Sequence, residues 1–350
     1  MVFLRIDHTR LTDICAALLT RAGACPEHAR ITAEALVEAD LCGVETHGVS
    51  RMEVYLQRLE AGAVQGDGVF TVEKEYAGAA LADGGAALGQ VTARKAMALA
   101  IERAPQAGCY TVFVKNSAHY GMAALYARMA AERGLVGITA TNAPPALAPW
   151  GSYVPYFGPN PLAVAVPGRA GSPALCLDMA PSVVPRGRLM LAIQKGQSIP
   201  EGWAVDKNGD PTTDPRAAWE GTLLPIGGHK GAGLTMALDV LCGMVPGAAF
   251  GPYIGTLFGD MDRTQNVGHV FTAIDPDLFA GRAAFEEAVE QMLADIRALP
   301  RTPGTEEILA PGEIEDRRRR AALEGGVDLP DSTVEMLRRK ARDYGMEAAL

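Results

Sequence analysis

LAVAVPGRAGSPALCL, residues 162–177, holds two apolar runs, Leu162–Val166 and Ala174–Leu177, around a short turn. Each has the length and composition of a strand. Residues 167–173 are too few for a helical crossover, which needs about a dozen residues, so the two strands run antiparallel. Upstream, Tyr110–Val114 is a β-branched and aromatic strand, Gly121–Arg133 a helix stopped by Gly134, and Leu135–Thr141 another strand. That unit is a strand–helix–strand crossover. A proline-rich loop, 143–161, with APWG (148–151) and GPNP (158–161), joins it to the antiparallel pair. One crossover beside one antiparallel pair makes a mixed sheet. No strand–GxGxxG–helix unit occurs, so the expected class is mixed α/β and not a Rossmann fold.

The chain ahead of the sheet reads as helical. Leu11, Ile14, Cys15 and Leu18 recur at helical spacing. Pro26 suits a first helical position, with Ile31, Ala35 and Leu36 behind it and Gly43 as the stop. Ser50 is placed to cap a third helix carrying Met52, Tyr55, Leu56 and Leu59 and closed by Gly62. The loop Gly43–Gly48 between the second and third helices holds His47. Residues 187–214 are polar and turn-rich. GGHKGAG (227–233) leads into an apolar helix, Leu234–Met244, and the chain from Ala283 onward alternates charged and apolar residues at helical spacing.

The 350 residues are 48% hydrophobic and 21% charged, a globular balance, and no apolar run approaches a membrane span. A formal charge of −9 disfavours a nucleic-acid partner, which would need phosphates neutralised. Arg317–Arg320 follows Glu313, Glu315 and Asp316 and reads as a solvated helix face. The start, MVFLRIDHTRLTD, lacks a signal-peptide pattern, which leads us to expect a cytoplasmic protein. The six cysteines form no CxxC pair and read as reduced thiols, with no metal site expected.

Several residues could carry chemistry. His119, Asn142 and Asp178 each follow or end a strand, where ligand sites tend to gather; each could equally cap a turn. His119 and His47 both lie in glycine-flanked loops, and imidazole is the side chain best suited to exchange a proton near neutrality. Arg51 lies four residues after His47, and its guanidinium is a natural bidentate partner for a carboxylate. The glycines, Lys230 and helix start of 227–233 make an anion site, although its spacing is not that of a Walker loop. Asp206–Asp210 has a faint calcium-loop look, but Pro211 stands where glycine is required, so it reads as a plain turn.

Taken together, ADLCGVETHGV (39–49), KNSAHYG (115–121), the stretch from TNAPP to PWG (141–151), NPLA (160–163), LDMA (177–180), IPEGWA (199–204), GGHKGAG (227–233) and NVGH (266–269) resemble the malate/L-lactate dehydrogenase family of non-Rossmann oxidoreductases. That family also holds ureidoglycolate and sulfolactate dehydrogenases, 2,3-diketogulonate reductase and Δ1-piperideine-2-carboxylate reductases. The resemblance implies a helical domain built from both termini (1–75 and 281–350) on a mixed, largely antiparallel sheet domain (76–280) that binds NADH or NADPH, and a homodimer. It implies that His47 or His119 donates the proton, with Thr46 and Asp178 as relay or orienting partners. Arg51 and Asn142 would bind the substrate. Asp178, Met179, Ala180, Ser182, His229, Lys230, Pro311, Gly312 and Glu313 would contact the cofactor.

Three departures stand out. Thr46 replaces the usual Ser, and Pro181 replaces the usual Thr, removing a backbone donor. Pro144 stands where ureidoglycolate enzymes carry Asp and argues against that substrate. The expected reaction is reduction of a small 2-oxo acid to the 2-hydroxy acid. Its alternatives are reduction of a cyclic ketimine such as Δ1-piperideine- or pyrroline-2-carboxylate, and a catalytically silent nucleotide-binding protein.

Overall fold

The computed structural model describes residues 3–169 and 173–346. Residues 1–2 and 347–350 of the expected helical domain, and 170–172 of the sheet domain, lie outside the described residues. In chain order the elements are β1 (Phe3–Ile6), α1 (His8–Arg21), α2 (Pro26–Leu41), α3 (Met52–Glu60), β2 (Thr71–Glu75), β3 (Ala79–Asp83), α4 (Gly89–Ala107), β4 (Cys109–Ser117), α5 (Ala123–Ala131), β5 (Val136–Thr141), β6 (Leu162–Pro167) and β7 (Pro173–Met179). There follow α6 (Arg186–Lys195), β8 (Ala204–Val205), α7 (Pro215–Glu220), β9 (Thr222–Leu223), α8 (His229–Asp239), β10 (Val267–Ile274), α9 (Arg282–Ala298), α10 (Glu313–Gly325), β11 (Val327–Pro330) and α11 (Asp331–Asp343).

The main sheet has seven strands in the order β2-β3-β4-β10-β5-β6-β7. Only β3 and β4 pair in parallel, so the sheet is mixed and largely antiparallel. β6 and β7 pair antiparallel as their short link requires, with Val164 opposite Leu177. β4, α5 and β5 form the expected crossover, but β10 inserts between its two strands, antiparallel to both. The sequence gives no local sign of that insertion, because β10 arrives from far downstream. Its consequence is directional: β4, β5 and β7 all run the same way, so His119, Asn142 and Asp178 leave the sheet at one end.

Two cores divide the mass. One joins Leu11, Leu18, Leu36 and Leu56 to Val327, Leu329 and Leu337, so both termini build it, and β1 pairs with β11 to close it. The other packs Met97, Tyr126 and Phe271 with small alanines of α4 and α5 against the sheet. β2 pairs with β3, so residues 71–75 belong to the sheet rather than on the helical side of the expected 75/76 boundary. Arg319 on α10 ion-pairs with Glu38 on α2 at 2.5 Å, fastening the two chain ends together. Among the described residues no helix is long and apolar enough to cross a membrane.

α8 continues through a π-turn, Val240–Met244. Gly231, Ala232, Thr235, Leu238 and Cys242 face inward, while Leu234, Met236, Val240, Leu241, Met244 and Val245 are exposed. Both faces of this element are therefore apolar along its C-terminal half.

Candidate functional site

His47 ends a 3-10 turn, Glu45–His47, between α2 and α3. Asp40 at the end of α2 fixes the turn from behind: the Val49 N–H donates to Asp40 Oδ2 at 2.8 Å. A Cβ at Gly48 would stand 2.1 Å from Asp40 Oδ1, so only glycine allows this approach. Burial pushes the Asp40 carboxyl up to about 7, against the Val49 hydrogen bond that lowers it. The expected cap by Ser50 does not form. Val49–Arg51 is a second 3-10 turn, and the Ser50 hydroxyl donates to the Glu45 carbonyl instead, since the turn curls the chain back on itself.

The two candidate histidines come together. Their rings stack with centroids 5.8 Å apart, at 23°. Thr46 Oγ1 lies 3.0 Å from His47 Nδ1, as a hydroxyl partner should. Both rings are half-buried. Burial, and then the Arg51 charge, pull His47 down to about 4. Burial pulls His119 well below the usual imidazole range, reinforced by His47, Arg51 and His269. Both rings are held toward the neutral form.

Arg51 holds its place by donating Nε–H to the Thr46 carbonyl at 2.6 Å. Its two terminal nitrogens have no carboxylate partner among the described residues. Phe258 covers one face of the guanidinium, 5.3 Å from Cζ to the ring centroid.

Tyr55, one turn beyond Arg51 on α3, was read from the sequence only as an apolar-face residue. Its hydroxyl is 2.6 Å from His119 Nδ1 and accepts from Gln90 Nε2 at 2.9 Å. The tyrosine proton therefore points at Nδ1, which assigns the His119 ring proton to Nε2 from the hydrogen-bond network. Gln265 accepts the His119 backbone N–H at 3.1 Å. The i, i+4 spacing of Arg51 and Tyr55 is the one signal that could have flagged Tyr55; Gln90 and Gln265 have none.

No hydrogen bond joins Asp178 to His47 among the described residues. Its Oδ2 accepts the Ala124 N–H at 2.8 Å, capping α5 where the helix N-terminus favours an anion. The residue is exposed on one side, yet crowding by the surrounding protein pushes its carboxyl up to about 6. Any relay from Asp178 to His47 would run through an added group and not through a direct hydrogen bond. Asn142 departs further from its expected substrate role. It is 1% exposed, its Nδ2 donates to Ala249 O and its Oδ1 accepts from Gly268 N. Both ends of the amide are committed to backbone, so the side chain clamps the α8–β10 connection. His269, within the NVGH motif, is likewise internal: Thr141 and Ser117 hydroxyls flank its two nitrogens, and burial holds it at about 3.

The expected cofactor segments assemble along β7. The Ile226 N–H donates to Pro181 O at 2.8 Å, and Ser182 bridges to Pro225, which brings 178–182 beside the loop of His229 and Lys230. The Cys176 N–H donates to Pro311 O at 2.7 Å, bringing Pro311, Gly312 and Glu313 to the same strand. Gly312 has φ +89° and a Cβ there would sit 2.8 Å from Cys176 O. Met179 and Ala180 line the strand exit. These residues fit a dinucleotide: Ser182 Oγ is buried without a partner, and His229 and Lys230 are exposed at an uncapped helix start. The chain then runs to Gly187, whose Cβ position lies 3.3 Å from Thr46 Cγ2, so the segment that follows Ser182 passes beside the turn of His47.

A family model described as malate/L-lactate dehydrogenase matches residues 6–338. The malate/(S)-sulfolactate dehydrogenase of Methanothermus fervidus is 38% identical over 94% of this chain and 95% of its own length. The sulfolactate dehydrogenase of Methanocaldococcus jannaschii superposes with a TM-score of 0.92 at 35% identity, covering 98% of each chain. The Δ1-piperideine-2-carboxylate reductase of Pseudomonas syringae superposes with a TM-score of 0.85 at 30% identity, covering 97% of this chain and 100% of that one. These likenesses place it: the chain belongs to the malate/L-lactate dehydrogenase family and is an NAD(P)-dependent oxidoreductase acting on CH–OH.

Proposed function

We propose that the protein reduces a small 2-oxo acid to the 2-hydroxy acid with NADH or NADPH. The observation that carries this reading is the unpaired Arg51 fork beside the stacked His47–His119 pair. A substrate carboxylate takes the free guanidinium edge, which sets the neighbouring carbonyl carbon toward the histidines. Asp178, Ser182, His229, Lys230 and the 311–313 turn hold the dinucleotide, which supplies the hydride. His119, with its proton on Nε2, presents a donor to the carbonyl oxygen. One of the two histidines passes it a proton.

The low histidine pKa values make proton delivery depend on binding. After burial, the Arg51 charge adds to the depression at both rings. A carboxylate on Arg51 offsets that charge, so both rings bind protons more readily in the complex than alone. The substrate thus recruits the proton its own reduction consumes.

The test is oxidation of NADH and NADPH against pyruvate, oxaloacetate and the cyclic ketimine Δ1-piperideine-2-carboxylate. We expect the highest kcat/KM with a 2-oxo acid. A higher value with the ketimine overturns the choice of oxygen over nitrogen at the reacting carbon. The likeness to the piperideine carboxylate reductase supports that second reading.

We also infer a homodimer formed through α8 and its π-turn, because a helix apolar on both faces belongs in an interior. Leu241→Asp is expected to convert a dimer to a monomer by light scattering; an unchanged mass places the interface elsewhere. Six unpaired cysteines suit a reducing compartment, and we assign the protein to the cytoplasm.

A further inference from the structure

Arg58 is an unexplained cost. It is fully buried, and no carboxylate pairs with it among the described residues. A buried charge without a counter-ion is expensive unless hydrogen bonds replace water. Here four backbone carbonyls take the terminal nitrogens and the Asp260 carboxyl lies near enough to favour the charge, while Nε is buried without a partner among the described residues. Nη1 donates to Thr256 O at 3.2 Å, Leu257 O at 3.3 Å and Asp260 O at 2.9 Å, and Nη2 donates to Arg263 O at 2.9 Å. Every one of these carbonyls belongs to the loop 256–263.

The rest of that loop is built toward one shape. Asp260 Oδ2 accepts the Thr256 N–H at 2.7 Å and its hydroxyl at 3.0 Å. Leu257 and Met261 pack on the helical core. Phe258, between them, is left 64% exposed, and it is the residue that covers Arg51. A loop pinned by a guanidinium, a carboxylate and two apolar anchors yet presenting a phenyl ring to Arg51 is organised around that ring. Arg51 at the N-cap of α3, and Tyr55 and Arg58 within it, follow one another at i, i+4 and i+7, so one side of this helix and its cap orients the carboxylate receptor, the histidine and the loop.

We propose that Phe258 is a specificity-determining residue and Arg58 the positioning residue behind it. This rests on the reading of Arg51 as the carboxylate receptor. Phe258 occupies one face of the guanidinium, so a carboxylate must dock on the edge, and the ring becomes the apolar wall beside the substituent at the substrate's third carbon. The wall admits a short substituent and limits a branched one.

The experiment compares kcat/KM for pyruvate and for 4-methyl-2-oxopentanoate in the full-length wild type, Phe258→Ala, Arg58→Lys and the double variant. Removing the ring is expected to shift the branched-to-short ratio upward about tenfold, the scale of one or more methylenes in a pocket. Arg58→Lys keeps the charge but loses the fork, and is expected to shift the ratio the same way. The double variant should go no further than Phe258→Ala alone, because both act through one ring. An unchanged ratio in Phe258→Ala overturns the proposal for the ring, and that exposed residue can be removed without harming the fold. Additive shifts overturn the role of Arg58, as does a lower Tm with no change in ratio. Arg51→Gln separates the layers. If it leaves KM for both acids unchanged, the carboxylate reading fails; if it raises KM while Phe258→Ala does nothing, only the wall is wrong.

Discussion

Replacing His47 or His119 by alanine is expected to lower kcat for 2-oxo acid reduction, one of the two by about 10²–10⁴-fold, the span of a positioned general acid. The other loses a hydrogen bond to the carbonyl and about tenfold in kcat. The rings are stacked against each other, and each has its own backing: Thr46 for His47, Tyr55 and Gln90 for His119. The larger loss names the donor. Cofactor affinity, followed by nucleotide fluorescence, should hardly change, because the segments proposed to hold the dinucleotide lie along β7. Retention of near wild-type kcat by both variants would falsify the acid assignment.

Arg51→Gln is expected to raise KM by about 10–100-fold, since hydrogen bonds to a charged group contribute about 1.5–3 kcal/mol. Its second effect has a definite sign. Burial is the first cause of the low His47 value, and Arg51 is the other. Without the guanidinium the burial remains and the repulsion goes, so the free-enzyme histidine titrates at higher pH. The limb of the kcat/KM profile that reports it should therefore move upward in pH. Arg51→Lys restores the charge without the planar fork and should recover the pH limb but little of the KM. If KM stays put in Arg51→Gln, the carboxylate binds elsewhere.

Much of this architecture is legible in residue order alone. The link between Leu162–Val166 and Ala174–Leu177 is too short for a helix, which by itself rules out an all-parallel sheet. The glycines around His47, and the strand before His119, mark both loops. What cannot be read is what distant segments do to one another. β10 inserts into the crossover from more than a hundred residues downstream of β5. Asn142 looks like a ligand in sequence because it ends a strand in a polar stretch, and only the approach of Ala249 and Gly268 spends its amide. Asp178 is predicted as a partner of His47, and the start of α5 claims it first. Tyr55 and Phe258 are hidden for the opposite reason: aromatic residues among apolar neighbours read as core until the partner they meet is known.

The carboxyl of Asp40, set behind the His47 turn, ties the folding of this protein to acidity. Its value is raised from the usual carboxylate range to about 7, so the folded chain holds that proton where the unfolded chain has released it. Between about pH 4 and pH 7 each step upward costs the native state the difference, and the stability this proton contributes is whole only below that window. The same carboxyl holds Val49, and through it the turn on which His47 stands. The turn that carries His47 is thus kept in place by a group that trades stability for charge as the surroundings pass from acid to neutral.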